Sequence, residues 1–122
     1  MTAERDPVDA LEDILHNMAL AKEFAGAVRT MDELDADPKT LYSVMRALEI
    51  VGEATKSVPP SVRALDSAIP WKEMAGMRDK LIHAYETVDV EILLKTVRED
   101  IPTAEPRIRA LLARLAEAGR EK

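Results

Sequence analysis

The chain of 122 residues contains no cysteine, only four glycines and few aromatic residues. Without cysteine there is neither a disulfide framework nor a thiolate metal site. The glycines stand singly, which excludes a glycine-rich loop of the kind that binds ATP phosphates. The two histidines, His16 and His83, lack the paired spacing of a helical metal site. We therefore expect no metal and no cofactor.

Long apolar runs are also lacking. None approaches the ~20 residues of a membrane-spanning helix, and the stretch Met1–Asp6 lacks the basic start and apolar core of a signal peptide. We expect a cytoplasmic protein with no membrane partner. The formal charge of −6 argues against a protein that coats nucleic acid, because such affinity comes mainly from Lys and Arg. The 17 basic residues still suffice for a local positive cleft; no DNA partner is expected.

The residues that are present predict helices. Apolar side chains recur at steps of three and four residues along most of the chain. Asp6 and Asp37 each precede a proline, which combines an N-cap with a favourable first helical position. A proline pair at 59–60 ends the second helix. A third helix is predicted from about Trp71 to a break near 86–89.

A fourth helix is predicted from about Asp89 to a break or kink at Pro102, and a last helix after it. The linkers 30–37 and 57–69 are predicted to be loops. Neither period-two alternation nor an Asn-Gly or Asp-Gly turn indicates a β-hairpin. The sequence thus predicts an all-α, antiparallel bundle of four to five helices, in a single domain over residues 1–122.

The segment Met77–Tyr85 holds the side chains best suited to chemistry. On a straight helix Arg78 and Tyr85 share a face, whereas Arg78 and His83 lie about 140° apart around the axis. One regular helix therefore does not aim Arg78 and His83 at one phosphate. The Arg78 side chain wraps round the helix, or the helix breaks near His83, or a two-fold axis brings two such helices together.

Three blocks of sequence precede this segment, and the third of them overlaps its first two residues. In order they are Asp37-Pro38-Lys39-Thr40, Leu48-Glu49-Ile50-Val51-Gly52-Glu53-Ala54 and Ile69-Pro70-Trp71-Lys72-Glu73-Met74-Ala75-Gly76-Met77-Arg78. With His83 and Tyr85 following, the chain resembles the HEPN domains, and specifically the HepT branch of toxin-antitoxin systems, over nearly its whole length. A polar residue directly after the arginine, here Asp79, also fits that family.

The resemblance implies a metal-independent endoribonuclease that acts as a homodimer, with arginine and histidine of both protomers in one cleft. Arg78 would bind the RNA phosphate and stabilise charge on its oxygens. His83 would accept the proton of a 2′-hydroxyl or donate one to the leaving oxygen, and Asp79 would orient one of them. Lys72 and Lys80 are the lysines expected to contact the RNA, a tRNA or an mRNA.

The resemblance also implies a partner that controls the enzyme. In a type VII-like toxin-antitoxin system, a cognate minimal nucleotidyltransferase would neutralise the toxin by AMPylation, and Tyr85 is the expected acceptor. The alternative is a non-catalytic helical binding module that assembles with this nucleotidyltransferase and is modified by it. The intact Arg78, Asp79 and His83 favour the enzyme, while the charge of −6 favours the module.

Each candidate also has a structural interpretation. Taken alone, Arg78 and Lys80 would form a solvated face, His83 would be a partly exposed helix residue and Tyr85 would pack at the edge of the core. The three flanking blocks favour the functional interpretation of these four residues. Trp71 is predicted to anchor the core rather than to stack on bases.

Three other residues of the first two helices receive a structural prediction only. His16 lies between apolar positions of the first helix and is predicted to be structural. Glu49 and Glu53 flank Gly52 within a family block. The sequence supports a packing or orienting role for both.

Overall fold

The computed structural model describes residues 5–83 and 89–120, and within these ranges every regular element is helical. The seven α-helices are α1 Pro7–Ala25, α2 Met31–Asp35, α3 Pro38–Lys56, α4 Pro60–Arg63, α5 Trp71–His83, α6 Val90–Lys95 and α7 Ile101–Arg120. A 3-10 turn, Ala64–Asp66, follows α4, and a π-helical turn, Thr96–Asp100, joins α6 to α7. The all-α helical bundle is confirmed.

The predicted aspartates begin three of the helices. Asp6 accepts a hydrogen bond from the backbone N–H of Val8 at 2.8 Å, at the start of α1. Asp37 accepts one from the backbone N–H of Thr40 at 3.2 Å, at the start of α3. Asp89 is the N-cap of α6. These side chains satisfy backbone donors that the first turn of a helix leaves unpaired.

The two predicted loops were wrong in part. Within 30–37 lies α2, whose N-cap Thr30 accepts a hydrogen bond from the backbone N–H of Glu33 at 3.1 Å. A threonine followed three residues later by glutamate is a capping signal that the periodicity of apolar residues does not reveal. Within 57–69, Pro60 is the first residue of α4, because proline fits the first helical position.

Pro102 does not separate two helices. The chain stays helical from α6 through α7, and the irregularity is the π-helical turn directly before the proline. Within that turn the N–H of Ile101 donates to the carbonyl of Thr96, five residues back. A proline has no N–H and its ring crowds the carbonyl four residues earlier, and a wider turn at this point relieves the crowding without ending the helix.

Helix α3 lies between α1 and α5 and makes the most extensive contacts of the fold with these two helices. Helix α7 packs on α1. The core between them consists of apolar side chains at the predicted helical spacing, including Leu11, Ile14, Val44, Leu48 and Ile108, all almost fully buried. No helix within the described ranges is both long and apolar enough to cross a membrane.

The start of α5 is fixed by Trp71, which is 7% exposed. Its indole N–H donates to the carbonyl oxygens of Arg63 at 3.2 Å and Asp66 at 3.0 Å. The carboxylate of Asp66 in turn binds Arg107 of α7 through two hydrogen bonds, at 2.8 and 3.0 Å. Trp71 is thus a core anchor, as predicted, and it ties α5 to the turn after α4.

Candidate active site

The helix that carries most of the candidates, α5, lies very close to α3 at one point. A Cβ built on Gly52 would be 2.5 Å from Cβ and 2.7 Å from the backbone nitrogen of Arg78. Real Cβ atoms do not come so close to other heavy atoms, so only glycine allows this approach. Gly52 therefore sets the position of the Arg78 backbone against α3.

Arg78 is held by carboxylates from both helices. Its Nε donates to Oε2 of Glu53 at 2.8 Å, and its Nη1 donates to Oδ1 of Asp79 at 3.2 Å. The same oxygen of Asp79 accepts a hydrogen bond from Nζ of Lys56 at 2.7 Å. These four residues form a cluster of alternating charge at the edge of the α3–α5 contact, which we call the Arg78 cluster.

The cluster favours the charged forms of Asp79 and Arg78. The hydrogen bond from Lys56 and then that from Arg78 lower the pKa of Asp79 below its ordinary value. The hydrogen bond to Asp79 and the charge of Glu53 raise the pKa of Arg78. The Arg78 side chain is 30% exposed, so a permanently charged guanidinium with five N–H donors is fixed at the surface, where an anion can reach it.

Helix α5 continues without a break to His83, its last residue. On a continuous helix positions 78 and 83 lie about 140° apart around the axis. A break between Arg78 and His83 is excluded, and a break just after His83 would fall outside the described residues. The Arg78 side chain extends to α3, where it binds Glu53. The side chain of His83 and the whole of Tyr85 lie outside the described residues.

The two lysines predicted to contact RNA do not join the Arg78 cluster. Lys72, in the first turn of α5, and Lys80 are both exposed. Lys80 is two positions after Arg78, which places it about 160° away around the helix axis. The basic residue that the structure brings to the cluster is instead Lys56, at the end of α3.

Three members of this region were given no catalytic function from the sequence: Gly52, Lys56 and Glu53, of which Glu53 was given a packing or orienting role. A signal for them exists in retrospect. A glycine in the middle of an amphipathic helix indicates a packing contact with another helix. On the helical wheel Lys56 lies about 40° from Gly52, and Glu53 lies about 100° from it. That combination predicts a partner helix with a basic and an acidic residue at the contact, which is what Arg78 and Asp79 supply.

The other residues with structural predictions behave differently from one another. Glu49 binds Nη1 of Arg46 at 2.8 Å, on the same helix, and not Arg78. His16 is exposed on α1, so it is not a core residue. Of the two glutamates that flank Gly52, only Glu53 therefore contacts a candidate catalytic residue.

Helix α5 also borders an apolar cavity of about 220 Å³, which it shares with α3 and α7. Met74 and Met77 line it from α5, Leu48 and Val51 from α3, and Ile101 from α7. Among the described residues, α5 packs chiefly on α3. The position of Arg78 therefore depends mostly on the contact at Gly52.

No group of three or more potential metal-ligating side chains clusters within residues 5–83 and 89–120. The features that remain are a helical bundle, an arginine fixed by carboxylates in its third long helix and a histidine five residues farther along that helix. They are the features expected of a ribonuclease of the HEPN type. The chain belongs to the HepT-like ribonuclease family, whose match covers residues 14–111.

Its relatives carry corresponding names. A protein of Thermococcus cleftensis named "Probable ribonuclease HepT" is 49% identical over 108 residues, which cover 88% of this chain and 97% of that protein. A protein of Caldanaerobacter subterraneus subsp. tengcongensis that is also named as an RNase is 37% identical over 108 residues, which cover 88% of this chain and 96% of that protein. No match to a solved structure was found.

Proposed function

We propose that this ribonuclease is the toxin of a type VII-like toxin-antitoxin system, a metal-independent endoribonuclease with Arg78 and His83 as its catalytic residues. The observation that carries the proposal is the fixed guanidinium of Arg78, bound at Nε and Nη1 and partly exposed. Arginine with a fixed orientation is well suited to bind a phosphate and the charge that develops on it.

The active unit in this proposal is a homodimer. Because α5 is helical from Arg78 to His83, positions 78 and 83 lie about 140° apart around its axis. A two-fold axis close to the end of α5 would place Arg78 of one protomer and the partner subunit's His83 on one phosphate, and would form a cleft shared by both protomers. Light scattering that finds only monomer at micromolar concentration would contradict this arrangement.

The proposed chemistry is an internal transesterification of RNA. One His83 takes the proton of a 2′-hydroxyl, and the 2′-oxygen attacks the adjacent phosphorus. The bond from phosphorus to the 5′-oxygen breaks, and the partner subunit's His83 gives that oxygen a proton. The products are a 2′,3′-cyclic phosphate and a 5′-hydroxyl end. Arg78 stabilises the charge on the phosphoryl oxygens during the step.

The remaining candidates act on binding and control. Lys72 and Lys80 are exposed, and in this proposal they bind RNA phosphates that flank the one being cleaved. Tyr85 receives AMP from a cognate nucleotidyltransferase antitoxin: its phenolic oxygen attacks the α-phosphorus of ATP, loses its proton, and pyrophosphate leaves. The added phosphodiester charge near Arg78 would repel the RNA.

The test is RNA cleavage by the purified chain with EDTA present, followed by mapping of the RNA ends. Arg78→Ala and His83→Ala are each expected to lower the cleavage rate by at least ~100-fold, with little change in melting temperature. Arg109→Ala, which removes an exposed arginine of α7, is the matched control and is expected to cleave normally. Full activity of either active-site variant would contradict the assignment.

The proposed control is tested by mass. Protein co-expressed with the neighbouring nucleotidyltransferase is expected to carry AMP-sized increments, and Tyr85→Phe is expected to carry none and to stay toxic. If the wild-type chain cleaves no RNA and is nevertheless modified, the alternative is correct, and the chain is a binding module for the nucleotidyltransferase.

A further inference from the structure

We propose that Glu53 is a positioning residue for RNA cleavage, whose carboxylate fixes the orientation in which Arg78 meets the scissile phosphate. This role rests on the proposed function of Arg78. It is a role for a residue of α3, outside the segment of α5 that contains the arginine and histidine.

Some N–H donors of Arg78 bind carboxylates of the protein, and the others are left to bind an anion. Nε is bound by Glu53 at 2.8 Å and Nη1 by Asp79 at 3.2 Å. A guanidinium is planar and has five N–H donors, so hydrogen bonds at two of its nitrogens restrict its orientation and leave further N–H groups for an anion. Lys56 holds Asp79 at 2.7 Å, which steadies the second of these points.

The backbone of the site makes this orientation specific. Gly52 brings α3 against the Cα and Cβ of Arg78, and Glu53 is the next residue of α3. The base of the arginine and the carboxylate that binds its Nε are therefore fixed relative to each other. Misplacement of a catalytic group by about 1 Å can lower a rate by about 100-fold, so a contact that fixes the guanidinium affects the rate directly.

Neutralising Glu53 changes the rate of RNA cleavage in opposite directions, depending on whether Glu53 positions Arg78 or only adds negative charge. Glu53 is 61% exposed and negative, and as a bare charge it would repel RNA, so neutralising it would improve cleavage, most of all at low salt. If Glu53 positions Arg78, neutralising it lowers kcat, while KM for RNA stays the same or falls. An exposed ion pair contributes little to stability, so a merely structural role would change neither kcat nor KM.

The experiment compares Glu53→Gln with Glu49→Gln. Glu49 lies one turn earlier on α3 and binds Arg46 rather than Arg78, so the control removes the same charge without touching the contact. For Glu53→Gln we expect kcat to fall about tenfold, with KM unchanged or lower and an unchanged melting temperature. For Glu49→Gln we expect kcat within twofold of wild type.

A second readout needs no cleavage. In the ¹⁵N-labelled chain, the Nε–H signal of Arg78, assigned by its loss in Arg78→Lys, is expected to exchange slowly with water. Glu53→Gln should accelerate that exchange at least tenfold, because the acceptor is weakened, and Glu49→Gln should not.

Two results would overturn the proposal: a kcat for Glu53→Gln equal to or above that of a cleaving wild-type chain, or an unchanged exchange of the Arg78 Nε–H. A wild-type chain that cleaves no RNA would instead overturn the proposed function, and it would be recognised without any variant of Glu53.

Discussion

Helix α3 meets its two neighbours in opposite ways. Towards α1 the space is filled by large apolar side chains, among them Leu11, Ile14 and Leu48, which have almost no exposed surface. Towards α5 the helices approach through the absence of a side chain at Gly52, and a cluster of charged groups lies at the edge of the contact. The first contact is sensitive to the removal of atoms, and the second is sensitive to their addition.

The difference also separates stability from activity. A filled apolar contact contributes free energy of folding in proportion to the area that it buries. The charged groups around Gly52 are exposed, and exposed ion pairs contribute little, but they fix the residue that we propose to bind the phosphate. Four substitutions, one of them with a matched control, test this comparison in order of decreasing effect.

Leu11→Ala removes atoms from the contact between α1 and α3. Leu11 has no exposed surface, so the change should lower the free energy of unfolding by about 3 kcal/mol, the middle of the range for buried leucines. Urea denaturation monitored by circular dichroism measures it. At temperatures where the variant is still folded, its rate of RNA cleavage should match that of wild type, and a large loss of rate would contradict the comparison.

Gly52→Ala adds one carbon to the contact between α3 and α5. Its Cβ would meet backbone atoms of Arg78, at 2.7 and 3.0 Å, so the helices must separate. Overpacking costs about 1–3 kcal/mol, and helix propensity returns about 1 kcal/mol, which gives a net loss of about 0–2 kcal/mol together with a loss of cleavage. Denaturation and cleavage assays on one preparation measure both effects.

Gly76→Ala is the matched control for that change. A Cβ at Gly76, also in a helix, meets no atom within 4 Å. The same substitution there should stabilise the chain by about 1 kcal/mol. If both glycine variants gained stability, the close approach at Gly52 would be refuted.

Trp71→Phe weakens the anchor at the start of α5 while retaining an aromatic side chain. The indole N–H that binds the carbonyls of Arg63 and Asp66 is lost, and we expect a destabilisation of about 1 kcal/mol. Thermal denaturation followed by circular dichroism measures it. A loss as large as that expected for Leu11→Ala would show that α5 depends on its start more than on its contact with α3.

Asp79→Asn should have the smallest effect on stability, and the effect should depend on pH. Hydrogen bonds from Lys56 and Arg78 lower the pKa of Asp79 below 3.8. Because the folded pKa is the lower one, the contribution is fully present above the unfolded value of about 3.9 and is lost as pH falls through the folded pKa. Melting temperatures of wild type and variant should therefore differ slightly at neutral pH and converge in acid; a constant difference down to the folded pKa would contradict this.

The sequence predicts the long helices well because their cause is local. An aspartate followed by a proline begins α1 and α3, and apolar residues at helical spacing continue them. The short helices α2 and α4 were missed because so few residues provide no periodicity. The continuity through Pro102 was missed because a π-helical turn depends on how the chain packs on both sides of it.

The candidate site was predictable to a lesser degree. The motif singles out Arg78 and Asp79, and the structure brings these two into contact. Lys72 and Lys80 are near Arg78 in sequence, but the helix directs Lys80 away from it. Glu53 and Lys56 reach the cluster from another helix more than 20 residues earlier. Gly52 indicates that a helix packs closely there, but which helix it is and which side chains meet follow from tertiary packing.

The single tryptophan provides an optical reporter for the site helix. Trp71 is buried at the start of α5, and its indole is bound to carbonyls of the segment before it. Its fluorescence therefore originates from one buried environment, and the indole would be exposed to solvent if α5 detached. Emission spectra of the unmodified chain, with no dye or second tryptophan to confuse them, can thus follow whether α5 stays docked while RNA or a partner binds.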